Sequence, residues 1–138
     1  GIANGRFSDD MIEALSTAPF ERLQRLDISR NDIVADDFVR FGAAPGLAKL
    51  TDLVFDGQSK YVFDAKTATA LGQAPRLDAL RTLSLHNADV TAEAASALLT
   101  SPLAKRLEVI DLRRNPDLLA REDEWRRTFD GVLLLGND

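Results

Sequence analysis

Leu80-Arg81-Thr82-Leu83-Ser84-Leu85-His86-Asn87-Ala88-Asp89-Val90-Thr91 is the stretch whose reading decides the fold. Leu83 and Leu85 alternate with polar residues, the period of a strand with one buried face. Val90 follows a short turn and is placed to plug a core. Thr91 suits a helix N-cap, because its hydroxyl can accept one of the orphan N–H groups of a first turn. Residues 92–99 favour helix, with Ala95 and Leu98 three apart on one face. Ser101-Pro102 stops that helix, since proline has no N–H and disfavours a helical residue before it. The unit reads as strand, turn, helix and loop.

The unit recurs along the chain. Leu23, Leu50, Leu80 and Leu107 are separated by 27, 30 and 27 residues. Each opens the same apolar-x-x-apolar-x-apolar pattern: Leu23-Leu26-Ile28, Leu50-Leu53-Phe55, Leu80-Leu83-Leu85 and Leu107-Ile110-Leu112. Pro45, Pro75 and Pro102 each precede their leucine by five residues, and Pro19 precedes Leu23 by four. Ser8, Asp64 and Thr91 share the helix-start position, with Val34 as the exception. Leu15, Phe41, Leu71 and Leu98 form one inward helical column, and Ile12, Phe38, Ala68 and Ala95 another. Phe7, Ile33, Phe63 and Val90 form the column of the turn.

Tandem units of this length bury their apolar sides only against their neighbours, which is the mark of a solenoid. Strands joined through helices must run parallel, with right-handed crossovers. Helices are wider than the strand spacing of about 4.8 Å, so such a stack curves with its sheet inside. The expected fold is therefore α/β: a right-handed curved solenoid with a parallel sheet on the concave side and helices on the convex side. The expected organisation is a single domain over 1–138. It comprises a partial first repeat lacking its strand (1–22), full repeats at 23–49, 50–79 and 80–106, and a last repeat with its cap over 107–138. A helix over 121–129 carrying Trp125 and Phe129, followed by a strand over 132–135, should form that cap, with Trp125 as its plug. The opening in mid-repeat reads as part of something longer, and it predicts edge-to-edge self-association through the N-terminal end.

These residues resemble the leucine-rich repeat family, and within it the ribonuclease-inhibitor-like subclass of repeats that carry a true α-helix. Leu23-x-x-Leu26-x-Ile28-x-x-Asn31-x-Ile33 matches the pattern in full, and Leu107-x-x-Ile110-x-Leu112-x-x-Asn115 matches it with a proline following. Ala88 stands where asparagine or cysteine is usual, and the second unit departs most, with three extra residues between Phe55 and Phe63. The arrays found in bacterial multi-domain proteins are similar. The resemblance implies a horseshoe segment that binds other proteins without catalysis. It leaves the partner open, because one fold serves many functions.

Composition narrows the classes. A net charge of -5 argues against non-specific binding to nucleic acid. The absence of cysteine removes disulfides and thiolate chemistry, and points to a cytoplasmic rather than a secreted protein. No apolar run approaches the 20 or so residues of a membrane span. No membrane partner and no cofactor are expected.

The strand residues between the leucines should form four polar rows on the open sheet face. They are Arg25, Asp52, Thr82 and Val109; Asp27, Val54, Ser84 and Asp111; Ser29, Asp56, His86 and Arg113; and Arg30, Gly57, Asn87 and Arg114. A protein partner of unknown identity is expected to meet Arg25, Asp27, Arg30, Asp52, Asp56, His86, Asn87, Asp111, Arg113 and Arg114, together with Tyr61 in the expanded loop 56–62. Ser29, Asp56 and His86 invite a catalytic reading, but with aspartate in the middle the serine and histidine lie about 9–10 Å apart by strand spacing. His86 is instead expected to pair with Asp56. A hard-cation site on Asp27, Asp52 and Asp56 is disfavoured by the arginines among them. The alternative function is a structural or substrate-targeting segment of a longer multi-domain protein, such as a bacterial effector or enzyme.

Overall fold

The computed structural model describes residues 24–29, 38–39, 48–57, 63–74 and 77–136. Among these residues five short strands, β1 (Arg25–Asp27), β2 (Asp52–Val54), β3 (Thr82–Ser84), β4 (Val109–Asp111) and β5 (Val132–Leu134), lie side by side in chain order. Every neighbouring pair is parallel. The fold is α/β, built on an open parallel sheet.

Register follows the leucine pattern. Leu26, Leu53, Leu83, Ile110 and Leu133 are paired across the sheet and all are buried. The residues on either side of them in each strand point to the opposite face, where they are exposed or half-buried. A shift of one residue would move that whole row into water, which is why the pairing is so strongly specified. Leu50, Leu80 and Leu107 are buried as well, while Leu23 lies outside the described residues. Phe63 and Val90, in the turn column, form an isolated parallel bridge.

Helices α1 (Ala65–Gly72) and α2 (Ala92–Leu99) begin where the capping residues predict. Asp64 accepts from the Thr67 N–H at 2.9 Å, and the Thr91 hydroxyl accepts from the Ala94 N–H at 3.1 Å. Ala68 and Leu71 of α1, with Ala95 and Leu98 of α2, share one core with the inward strand residues. Gly72 permits the close fit between units, because a Cβ there would lie 2.5 Å from the Cβ of Ser101. After Pro102 the linking loop tightens into a 3-10 turn, Leu103–Lys105, before β4.

Two regions depart from the simple unit. Phe55 and Phe63, which flank the second unit's extra residues in sequence, pack together with Phe38, with ring centroids 5.7 to 6.1 Å apart. At the C-terminus, the expected helix is shorter at both ends. A 3-10 segment, Pro116–Arg121, leads into α3 (Glu122–Thr128). Trp125 is 1% exposed, and its indole N–H donates to the Leu118 carbonyl at 2.9 Å. Arg126 donates to the Leu133 carbonyl at 2.9 Å while held by Glu122, so a charged side chain covers part of the last strand's edge. Among the described residues, no helix is long and apolar enough to cross a membrane.

Candidate binding face of the sheet

The first two polar rows are those of the register: Arg25, Asp52, Thr82 and Val109, then Asp27, Val54, Ser84 and Asp111. Strand β5 extends them with Val132 and Leu134, so the face turns apolar at its C-terminal end. Val132 is 56% exposed. The other two rows follow because the ladder continues past the strands. Gly57 donates to His86, Asn87 to Arg113, and Arg114 to Gly136, all backbone to backbone. Arg30 and Tyr61 lie outside the described residues.

Most charges on the third row's path are already engaged in the fold. The backbone N–H at this row has a side-chain acceptor in each of the four units. Asp27 accepts from the Ser29 N–H at 2.9 Å, and Asp111 from the Arg113 N–H at 3.0 Å, each within its own unit. Strands β2 and β3 have Val54 and Ser84 where those aspartates stand, and the acceptor comes from the preceding unit. The Ser29 hydroxyl accepts from the Asp56 N–H at 2.9 Å, and Asp56 accepts from the His86 N–H at 3.0 Å and from the Ser84 hydroxyl. Chain turns leave such donors without a ladder partner, and short polar side chains supply one.

These bonds set the electrostatics. Burial pushes the Asp27 carboxyl up, but the hydroxyl and N–H of Ser29, with Arg25 nearby, outweigh it and leave it below 3.8. Burial likewise raises Asp111, and the side chain and N–H of Arg113, with the charges of Arg113 and His86, bring it below the same value. Arg113 grips Asp111 with two parallel bonds of 3.0 and 2.8 Å. The two adjacent arginines therefore have different fates: Arg113 is tied to its own strand, while Arg114 is exposed.

The suspected triad residues do meet, as turn caps. Ser29 is buried, Asp56 sits between it and His86 as expected, and the contact from Asp56 runs to the backbone N–H of His86. Asp27, Asp52 and Asp56 face the sheet's outer side, yet among the described residues no group of three or more acidic or histidine side chains is placed to hold a metal ion. A depression of about 480 Å³ opens over the turn edge. It is lined by Asp27, Ser29 and Asp56 at one end and by Gly57, His86, Asn87 and Arg114 towards the other.

Sequence reasoning placed Asn115 in a pattern without giving it a task. Its side chain is 2% exposed and serves two units at once. The oxygen accepts from Ala88 and Val90 N–H at 3.1 and 2.9 Å, and the nitrogen donates to the carbonyls of Leu85, Leu112 and Arg113. An asparagine three residues after Leu112 is the available signal; that it completes the preceding turn, where Ala88 stands in its own unit, needs the stacked arrangement.

Compared with protein-family models, curated proteins and solved structures, the chain matches none.

Proposed function

We propose that the chain is a segment of a leucine-rich repeat solenoid, of the ribonuclease-inhibitor-like kind with its sheet on the concave side, and that it binds a protein partner through the outer sheet face without catalysis. The observation that carries this reading is the face itself. Parallel register lines up polar rows across four units, side-chain caps hold the turns beside them, and the rows pass into the apolar residues Val109, Val132 and Leu134. A preorganised surface of mixed polar and apolar groups suits protein recognition, because little order has to be gained on binding. The cytoplasm suits a chain with no cysteine.

The absence of cysteine also supplies the test. A single Thr82→Cys change in the middle of the face, labelled with a bulky maleimide, should abolish retention of the bound partner from a cell extract. The same label at Glu93→Cys, on the exposed side of α2, should leave retention unchanged. Equal retention by both labelled proteins would remove the sheet face as the site.

A further inference from the structure

After each of three successive strands, the chain enters the left-handed region at the same register position: Gly57 at φ 84°, Asn87 at φ 55° and Arg114 at φ 60°. The backbone purpose is common to all three, since each donates its N–H to the next unit at 2.7 to 2.9 Å. Glycine and asparagine fit such a position readily, whereas an arginine bears the clash of its Cβ. Nothing described in the fold asks for a guanidinium there. The Arg114 side chain is exposed, and among the described residues no hydrogen bond or ion pair engages it. The neighbouring Arg113 is clamped by Asp111, and Asp27 and Asp56 across the depression already accept backbone N–H groups.

We propose that Arg114 occupies this disfavoured backbone position because its guanidinium anchors an acidic side chain of the protein partner. This inference rests on the sheet-face reading above and adds the partner's chemistry to it. Strained conformations persist where a function over-determines them. A guanidinium offers a carboxylate two parallel bonds, which gives orientation as well as attraction. The carboxylate would meet Arg114 at the β4 end of the depression, three strands from Asp27, so repulsion from that acid is screened over about 14 Å.

The decisive variant is Arg114→Asn, which keeps a residue suited to the left-handed turn and should fold at least as well. Its melting temperature should rise by about 3–5 °C. The binding probe is a capped peptide of alternating glutamate and alanine, followed by backbone amide shifts at residues 57, 87 and 114. The unaltered protein should show saturable shifts, and Arg114→Asn should weaken them at least tenfold. Lys66→Asn, exposed on α1 and away from the sheet face, should change the affinity less than twofold. A lysine-alanine peptide should produce no saturable shift at 114. An unchanged or lower melting temperature for Arg114→Asn, or equal binding of the acidic peptide, would overturn the anchor. The two readings separate cleanly. If the label at Thr82→Cys expels the partner but Arg114→Asn holds it undiminished, the anchor fails and the face stands; if the label leaves the partner bound, the face itself fails.

Discussion

The turns that follow Phe55 and Leu85 occupy equivalent places in successive units, yet the residues that bracket them are held in opposite ways. Phe55 and Phe63, at either end of the longer one, pack with Phe38, ring against ring, edge to face or tilted. The shorter one is completed by a buried amide, Asn115, with five hydrogen bonds to its own and the preceding unit. Bulk apolar packing tolerates a change in loop length, because dispersion and burial are non-directional. A hydrogen-bonded turn does not, since each donor and acceptor needs one partner at one distance. The unit with three extra residues accordingly has the aromatic solution.

Breaking the polar turn should have the largest effect. Asn115→Ala leaves buried N–H and C=O groups in two units without partners, at about 1–3 kcal/mol for each group that water cannot reach. We expect a loss of about 4 kcal/mol in urea unfolding. A loss under 1 kcal/mol would mean the turn repairs itself and the contrast is false. Phe63→Ala should cost about 3 kcal/mol through lost burial and the cavity left between Phe38 and Phe55. A conservative Phe63→Leu change should recover most of that loss, whereas Asn115→Leu should recover none. Comparable rescue by both would erase the distinction between the two turns.

The same comparison shows what could be read before coordinates. The inward strand row, and Phe38, Ala68, Leu71, Ala95 and Leu98 of the helical columns, are legible because apolar spacing alone fixes which residues face inward, while Ile12, Leu15 and Phe41 lie outside the described residues. The source of each polar cap is not legible. Asp111 serves its own strand, but Asp56 serves the next unit, and identical residue types give no sign of which applies until the strands are paired. Arg113 and Arg114, adjacent in sequence, are both expected from the sequence to meet the partner. An arginine two residues after a strand aspartate lies on the same side and folds back onto it, while the next residue turns left-handed and points its charge outward. The C-terminal helix is one residue shorter at each end than the expected 121–129, and at its start the 3-10 segment opened by Pro116 runs through Arg121. Tyr61, the expanded loop and the N-terminal edge fall outside the described residues.

Smaller effects sharpen the contrast between caps supplied from within a unit and caps supplied from outside it. Asp56→Ala should cost about 1.5 kcal/mol, because it frees the N–H of His86 and the hydroxyl of Ser84 together. Asp56→Asn, which keeps an acceptor oxygen, should cost less than half of that. Asp27 and Asp111 both have carboxyl pKa values lowered by folding. Their contribution is therefore complete above the unfolded-state value near 3.8 and is lost as pH falls through the lower folded value. Stability measured by denaturant titration should hold from pH 7 to about pH 5 and then decline. Asp111→Asn should make that acid decline shallower, and an unaltered decline would show that the Arg113 clamp contributes nothing. Arg126→Ala should lower stability by about 0.5 kcal/mol, with its main consequence a freer β5 edge.

Everything proposed for the outer face depends on strands that run parallel and in the stated register. A pair of cysteines in the otherwise cysteine-free chain tests this directly. Thr82→Cys with Val109→Cys places two thiols opposite each other on neighbouring strands of the open face. Under mild oxidation this pair should close to a disulfide in the folded protein, while Thr82→Cys with Ile110→Cys, on opposite faces, should stay reduced. Closure of the second pair in preference to the first would contradict the register, and with it the rows from which the binding face is built.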